Sequence, residues 1–591
     1  MLSLYLRAPS FNVFNLDGLR QATAPKKQPC RHLPRICCAT TTFEQPPLRR
    51  SGNYHPNLWT DDYVQSLTTN LKVEDEEVNV RRISKLKEDV TKLICEKKEL
   101  ADQIQLIDHL QQLGVAYHFK DEIKDALWSM YGNLEDTRIL LKDNLHATAL
   151  LFRLLRENGH DVPQDIFNRF KDENGNFKAS LRHQTAAMLS LYEASFLAKE
   201  GEEVLNEAMQ FTTEHLRNFM RSEESFDLQP QYLRKQVGRA LDAPLTWRIE
   251  RAQTRWFIEA ATTINPLLLE LAKRDFNTVQ SIYKKELTQL SKWWTELGLP
   301  QRLPFFRDRL MENYLWAVGW DFEPQLWRSR LMQTKSNCFI TLIDDIYDVY
   351  GTLDELELFT DAVDRWDVNA IDKLPEYMKI AFLALFNMVH DAGYMIMKEK
   401  GLDVIPYLKR AWADQCKAFL VEAKWYHQGH KPKLGEYLDN AYISVSGLLI
   451  LCNAYCMSKD LTGEALKAYS RACPQITKPS AMLFRLYNDL STTTSEMERG
   501  DVPKTIQCCM NERGVSEAAA REVIKELIMD NWRVINGDRA CSSSFEEYFK
   551  SVAINVPRTS LFFYHHGDGY GKSDEETRDH IISLLLQPFK I

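Results

Sequence analysis

An acidic triplet inside an apolar run constrains this chain more than any other feature. The run from Thr341 to Asp348 has the pattern of a buried helix, yet it carries Asp344, Asp345 and Asp348. Asp344 and Asp348 are one helical turn apart and share a face. Burial of carboxylates is costly unless they are paired or bind a metal, and carboxylate oxygens beside phosphate suit Mg²⁺. The run therefore predicts a metal site or, as the plainer alternative, a solvated acidic patch.

A second polar set follows much later in the chain. Asn488, Thr492 and Glu496 stand at intervals of four residues, and Arg485 comes three residues before the first of them. On a helix these four side chains fall within an arc of about 80°. The set thus adds oxygen ligands and one cation to a common face. Two facing helices could hold metal ions between them, with phosphate as the remaining ligand.

Together the two segments resemble the paired metal motifs of class I terpene synthases. The first has the form D-D-x-x-D and the second the form N-D-x-x-T-x-x-x-E, and their separation resembles that of the plant enzymes. The resemblance implies a prenyl diphosphate substrate and three Mg²⁺ or Mn²⁺ ions. It implies six metal ligands, which are Asp344, Asp345, Asp348, Asn488, Thr492 and Glu496. It also places Arg307, Asp344, Asp348, Arg485 and Asn488 at the substrate.

Length and composition indicate a mostly helical protein of two domains. The chain has 591 residues, 44% of them hydrophobic, with only 23 Gly and 22 Pro, which allows large helical cores. A net charge of −8 argues against a nucleic-acid partner. No apolar run is predicted to span a membrane. The twelve cysteines lack zinc-binding spacing and indicate reduced structural thiols.

Residues 1–48 are predicted to be a plastid transit peptide. They hold six basic and two acidic residues and lack the apolar core of a secretory signal. Ile36-Cys-Cys-Ala39 resembles a stromal processing site, so the expected location is the chloroplast stroma. The alternative is a tail without function.

The remaining chain divides into three predicted segments. Arg49, Arg50 and Trp59 match the R-R-x8-W element of many monoterpene synthases, so residues 49–61 are expected to form a lid arm. Residues 62–264 contain amphipathic helices and no D-x-D-D acid motif, and resemble the family's non-catalytic, α-barrel-like N-terminal domain. Asn265-Pro266 predicts a helix start, after which residues 265–591 should form the class I helical bundle.

Further residues are assigned roles by the resemblance. Arg307 and Arg309 resemble the R-x-R diphosphate clamp, and Lys504 matches a lysine that binds diphosphate. Trp316 matches the tryptophan of the pocket, where an indole face stabilises a carbocation by about 0.5–2 kcal/mol. Tyr570 lies in a glycine-rich stretch resembling the loop that closes over the substrate. A surface ion pair with Asp308 is the alternative for the two arginines, and core packing is the alternative for Trp316.

Asn337 is predicted to lie at the floor of the pocket. It shares a helical face with Thr341, Asp344 and Asp348 and sits about 10.5 Å below Asp344 along the helix. Its amide could hold water or steer a cation, and it could equally satisfy a neighbouring carbonyl group.

These observations predict a plastid monoterpene synthase that ionises geranyl diphosphate and forms a cyclic product through an α-terpinyl cation, such as 1,8-cineole, α-terpineol or limonene. A monomer or weak dimer is expected. Three alternatives stay open: an acyclic product such as linalool or ocimene, a sesquiterpene synthase using farnesyl diphosphate, and a non-catalytic helical scaffold. A chain-elongating prenyltransferase is disfavoured because no second D-D-x-x-D is present.

Overall fold

The computed structural model describes residues 49–67, 73–96, 99–221, 228–260, 264–471, 474–539, 547–572 and 574–591. Within these ranges the secondary structure is helical, apart from an isolated bridge between Lys171 and Phe177. The all-α prediction is therefore confirmed. The transit-peptide prediction for residues 1–48 lies outside the described residues.

Apart from its first short helix, the N-terminal half packs its helices around one hydrophobic core. Buried apolar side chains between Leu86 and Phe276 form this core, as expected for amphipathic helices that each bury one face. The helices are α1 Asp61–Gln65, α2 Val73–Glu96, α3 Leu100–Gln112, α4 Lys120–Gly132, α5 Leu134–Leu140, α6 Leu145–Glu157, α7 Thr185–Ser195, α8 Glu203–Arg221, α9 Leu228–Asp242 and α10 Glu250–Ala260.

The C-terminal half forms a larger bundle with its own core, which Trp59 of the N-terminal arm and Val64 of α1 join. Its helices are α11 Pro266–Leu297, α12 Leu299–Arg302, α13 Leu310–Trp320, α14 Trp327–Asp345, α15 Leu353–Arg365, α16 Glu376–Lys400, α17 Ile405–Gln428, α18 Leu434–Ser444, α19 Gly447–Met457, α20 Gly463–Arg471, α21 Thr477–Arg499, α22 Thr505–Arg513, α23 Glu517–Arg539, α24 Glu547–Tyr564 and α25 Glu575–Ile581.

Helix α11 belongs to both cores. It begins as predicted, with the Asn265 side chain accepting a hydrogen bond from the Leu267 amide and Pro266 in the first turn. Its buried side chains up to Phe276 pack in the N-terminal core, and those from Val279 onward pack in the C-terminal core. The two cores thus share a continuous helix. The domain boundary at residues 264 and 265 stays a prediction.

Two irregularities position the site. A π-helical turn, Ile346–Tyr350, follows α14 and carries Asp348. Between α18 and α19 the chain is kinked at Ser446, whose φ is 74°. A Cβ on Gly447 would lie 2.7 Å from the Cβ of Ala481. The glycine therefore lets α19 begin directly against α21.

Among the described residues, two helical stretches are long and apolar enough to cross a membrane, contrary to the expectation from the sequence. Glu376–Lys400 has a mean hydropathy of 1.4 and Leu434–Met457 one of 1.3, with 39% and 67% of the respective windows buried. Core helices of water-soluble proteins meet the same test, so these two stretches are weak evidence for a span. Both contribute side chains to the C-terminal core.

Candidate active site

A cavity of about 410 Å³ opens within the C-terminal bundle, within the size range of small-molecule sites. Its walls come mainly from α13, α14, α17, α21 and α24, with the break between α18 and α19. Ten residues predicted for the site line it, namely Arg307, Trp316, Asn337, Asp344, Asp348, Arg485, Asn488, Thr492, Lys504 and Tyr570. The two polar segments predicted from the sequence therefore face one cavity.

Asp344 and Asp348 point into this cavity from one wall. Burial raises the pKa of both carboxyl groups. Repulsion from Asp344 and Glu422 raises the pKa of Asp348 further, whereas Arg307 partly offsets the rise at Asp344. Crowded, desolvated carboxylates of this kind favour a bound cation. With Asn488 and Thr492 they make an all-oxygen donor set, which fits Mg²⁺ or Mn²⁺.

Asp345 does not line the cavity. Its side chain is fully buried, and its carboxylate accepts hydrogen bonds from the Arg307 backbone amide at 2.7 Å and from the Arg307 Nε at 3.2 Å. The Nη2 of Arg307 lies 2.7 Å from the other Asp345 oxygen and 2.6 Å from Asp344. Asp345 therefore fixes the position of the Arg307 guanidinium without lining the cavity itself. Its role as a metal ligand stays a prediction.

Arg309 is also placed away from the cavity lining. It is the N-cap residue of α13, and its Nη2 donates to the backbone oxygens of His55 at 2.8 Å and Gly571 at 3.2 Å. Arg309 thus joins the N-terminal arm to the C-terminal loop. Direct contact between Arg309 and diphosphate stays a prediction.

The facing wall is built on α21. Arg485 donates to the Asn488 side-chain oxygen at 3.0 Å and to Asp489 at 3.2 Å, while its Nε donates to the Ala441 carbonyl at 3.0 Å. Asn488 and Thr492 both line the cavity. The side chain of Glu496 lies outside the described part of the structure, so its assignment as a ligand stays a prediction.

Lys504 enters from the N-terminus of α22 and pairs with Glu422 of α17, with Nζ 3.1 Å from Oε2. Burial raises the pKa of Glu422, but Lys504 and Arg485 outweigh it and hold that pKa below its usual value. The Glu422 carboxylate also accepts a hydrogen bond from the Ser444 hydroxyl. The lysine is therefore anchored by a buried acid at the cavity wall.

Aromatic rings surround the inner part of the cavity. Trp316 stacks on Phe563 with a centroid distance of 4.5 Å and an interplanar angle of 5°. Phe484 lies 5.1 Å and Tyr570 6.4 Å from the same indole. This arrangement can stabilise a cation through ring faces that do not act as nucleophiles.

Asn337 lines the cavity, as predicted, and its amide donates to the Asn313 carbonyl over a long 3.4 Å. Nearby, the Tyr570 hydroxyl donates to the Asn313 side chain at 2.9 Å and contacts the Thr341 hydroxyl. Both predicted roles of Asn337 thus have a structural basis. The amide makes a weak hydrogen bond to a neighbouring carbonyl group, and it still faces the cavity, where it could hold water or steer a cation.

The N-terminal arm covers the cavity mouth. Arg49 forms a bidentate pair with Glu355, both distances being 2.9 Å, and its guanidinium lies over the Tyr377 ring. Arg50 donates to the Asp348 backbone oxygen at 3.1 Å and to Asp501 at 3.0 Å. The arginine pair therefore fixes the arm beside the metal motif.

Comparison with known proteins places the chain in a family. Residues 58–241 match the family model "Terpene synthase, N-terminal domain", and residues 295–534 match "Terpene synthase family, metal binding domain". Monoterpene synthase 8, chloroplastic, from Hedychium coronarium is 59% identical over 599 residues, covering 99% of this chain and 100% of the relative. The chain belongs to the terpene synthase family.

Solved terpene synthases have the same two-domain helical fold. A limonene synthase with 2-fluorolinalyl diphosphate superposes with a TM-score of 0.87 at 40% identity, covering 92% of this chain and all of that one. Isoprene synthase from grey poplar (Populus x canescens), in complex with three Mg²⁺ ions and dimethylallyl-S-thiolodiphosphate, gives a TM-score of 0.81 at 42% identity, covering 90% and 99% of the respective chains.

Sequence reasoning missed several residues of this terpene synthase site. Glu422 and Asp489 pair with the basic groups of the cavity, and Tyr54 reaches it from the arm, with the Arg307 guanidinium 4.8 Å from its ring centre. Asp489 is the second residue of the N-D-x-x-T motif, so the motif itself marks this position. Glu422 and Tyr54 have no local pattern that marks them, since only the fold brings them to the cavity.

Proposed function

We propose that the protein is a plastid monoterpene synthase that converts geranyl diphosphate to a cyclic product. The proposal rests on one observation. A single cavity joins an oxygen-lined, basic end, with Asp344 and Asp348 opposite Asn488, to an aromatic end around Trp316. A substrate with an anionic head and a short apolar tail fits this division. The similarity to chloroplastic monoterpene synthases and to a limonene synthase supports it.

The basic side chains Arg307, Arg485 and Lys504 would hold the diphosphate. As the allylic carbon–oxygen bond breaks, the diphosphate leaves with the electron pair and the allylic cation stays in the aromatic end. Three bound Mg²⁺ or Mn²⁺ ions would supply positive charge that stabilises the leaving diphosphate. Asp344, Asp348, Asn488 and Thr492 are the described residues that would hold them.

The aromatic end would then control the fate of the cation. Cyclisation first requires return of the diphosphate to form linalyl diphosphate, because the trans double bond of the geranyl chain cannot close a six-membered ring. Trp316 and its neighbouring rings would stabilise the α-terpinyl cation that follows, without adding to it. Asn337 could hold a water for capture to an alcohol or ether, and loss of a proton instead would give an olefin of the limonene type.

Exclusion of water is the task of the arm and the C-terminal loop. Tyr54 and His55 from the arm and Asp568, Gly571 and Lys572 from the loop line the cavity. Bulk water would quench the cation, so closure by these two segments forms part of the proposed mechanism.

Product analysis on protein lacking residues 1–48 tests the proposal. We expect geranyl diphosphate with Mg²⁺ or Mn²⁺ to give mainly cyclic C10 products by gas chromatography, and farnesyl diphosphate to be a poor substrate. The cavity volume of about 410 Å³ is near the lower end of the range for ligand sites and favours the shorter chain. Equal turnover of both substrates, or turnover without a divalent ion, would refute the assignment.

Two further measurements separate parts of the proposal. Asn337→Ala should lower the share of alcohol or ether among the products, and an unchanged share would remove water binding from the role of Asn337. For localisation, residues 1–48 fused to a fluorescent protein should direct it to the chloroplast stroma. A cytosolic signal would contradict the plastid assignment while leaving the chemistry intact.

A further inference from the structure

Three ligand-type side chains meet on the surface, away from the oxygen-lined end of the cavity. Asp242 ends α9 of the N-terminal half, and His565 and His566 directly follow α24. The Nε2 of His565 lies 2.9 Å from one Asp242 oxygen, and the Nε2 of His566 lies 3.9 Å from the other. One ligand atom from each residue lies within 4.8 Å of the other two.

The convergence of the two histidines depends on the chain leaving the helix. Consecutive residues of a continuous helix point about 100° apart. Here α24 ends at Tyr564, and Gly567 has a φ of 138°, a conformation that favours glycine. The imidazoles of His565 and His566 lie 4.4 Å apart between ring centres and both face Asp242. An ion pair with Asp242 would need only one of the two histidines, whereas a metal ion would use both as ligands.

The chemistry of this set differs from that of the catalytic motifs. Two imidazoles and a carboxylate suit Zn²⁺, Co²⁺ or Ni²⁺, whereas Mg²⁺ prefers oxygen ligands alone. Open positions for water remain around such an ion. The positive charges of Arg239 and Arg248 act on Asp242 and oppose a cation, so binding should be weaker than at a closed structural zinc site.

We propose that Asp242, His565 and His566 bind one zinc-class divalent ion that ties the C-terminal loop to the N-terminal half. His566 is two residues from Asp568, which lines the cavity. The loop itself is braced, because the Gly569 amide donates to the Phe563 carbonyl at 3.1 Å and its carbonyl accepts from Thr577 at 2.6 Å. An ion that restrains His565 and His566 therefore also restrains the C-terminal loop. We expect such an ion to slow the opening of this loop.

Direct binding is the first test. Protein lacking residues 1–48 is titrated with Zn²⁺ in a large excess of Mg²⁺, which occupies the oxygen-lined site, and bound zinc is measured by equilibrium dialysis. We expect Asp242→Asn and His566→Gln to weaken one binding event more than tenfold, since loss of even an outer partner of a metal site costs about that much. His427→Gln removes another exposed histidine and should leave the titration unchanged.

Spectroscopy and activity complete the test. Co²⁺ added in excess Mg²⁺ should give a visible absorption band that His566→Gln abolishes and His427→Gln retains. Zinc should also lower the rate of product release, with each variant compared with its own rate in Mg²⁺ alone. Zinc titrations and cobalt spectra that are identical in His566→Gln, Asp242→Asn and the parent protein would overturn the proposal. Binding at this site without an effect on rate would overturn its link to loop opening.

Discussion

Asp345 offers the sharpest test of how this site is built. The acidic motif alone assigns it to the metal, whereas the structure turns it toward Arg307, with contacts to the backbone amide and to two guanidinium nitrogens. Asp345→Asn retains one acceptor oxygen and removes the charge. The substitution thus weakens the support of the arginine and leaves the oxygens of Asp344 and Asp348 in the cavity.

The expected loss follows from the two guanidinium contacts. Arg307 stays charged in the variant, and a hydrogen bond to a charged group contributes about 1.5–3 kcal/mol. The amide nitrogen that replaces one carboxylate oxygen cannot accept a hydrogen bond, so one of the two guanidinium contacts is lost at that cost. If Arg307 holds the diphosphate in the transition state, turnover should fall by about 10- to 150-fold.

The metal dependence of the rate distinguishes the two roles. Rates with geranyl diphosphate are measured over a series of Mg²⁺ concentrations for the parent, Asp345→Asn and the matched variant Asp344→Asn. We expect the Mg²⁺ concentration for half-maximal rate to rise in Asp344→Asn and to stay unchanged in Asp345→Asn. An equal rise in both variants would refute the positioning role and return Asp345 to the metal ligands.

Three other predictions follow from single contacts. Glu355→Gln should weaken the interaction with Arg49 by about 1 kcal/mol, a small value because the pair is partly exposed. The N-terminal arm should then be cleaved faster by a protease, and an unchanged cleavage rate would refute the anchoring role. Trp316→Leu should lower turnover by about 5- to 30-fold through loss of about 1–2 kcal/mol of cation–π attraction, with little change in the Michaelis constant, and a rate within twofold of the parent would contradict this. Burial raises the pKa of Asp321 from 3.8 to about 6, so the stability of the parent falls as pH rises from about 4 to about 6. The stability of Asp321→Asn relative to the parent should therefore be about 2.5 kcal/mol greater at pH 8 than at pH 4 in urea unfolding, and a difference that does not change with pH would refute the assignment.

Helical periodicity was sufficient to predict the part of the site that lies along single helices. Asp344 near the end of α14 and Asp348 in the π-helical turn that continues it face the cavity, as do Asn488 and Thr492 on α21, because residues about one turn apart share a face. The helix start at Pro266 also follows from local chemistry. Such features depend on neighbours in sequence, so the sequence contains them directly.

Contacts between distant segments were not predictable in the same way. The pairing of Lys504 with Glu422, and the position of Arg309 between the arm and the C-terminal loop, depend on how separate elements pack. Asp345 is an intermediate case. The Asp345 side chain lies about 100° from that of Asp344 around the helix, so helical geometry alone points it in a different direction. Its partner, Arg307, is known only from the fold.

These pairings change the electrostatics of the proposed reaction. The resemblance assigns Arg307, Arg485 and Lys504 to the diphosphate and names no acidic partners for them. In the structure Arg307 pairs with Asp344 and Asp345, Arg485 with Asp489, and Lys504 with Glu422. With Asp348, five described carboxylates stand against these three basic groups. When all eight of these side chains are ionised, they carry a net charge of −2.

A substrate diphosphate would add further negative charge to this environment. The basic side chains already have acidic partners, so their attraction for diphosphate is largely offset before substrate arrives. Binding of the diphosphate would then depend on divalent ions held by Asp344, Asp348, Asn488 and Thr492, which would make the net local charge positive. The same dependence would prevent ionisation before the metal ions are in place, because the paired arginines and lysine contribute little net positive charge at the leaving group. Metal loading and bond cleavage would thereby be coupled through the charge balance of the protein itself.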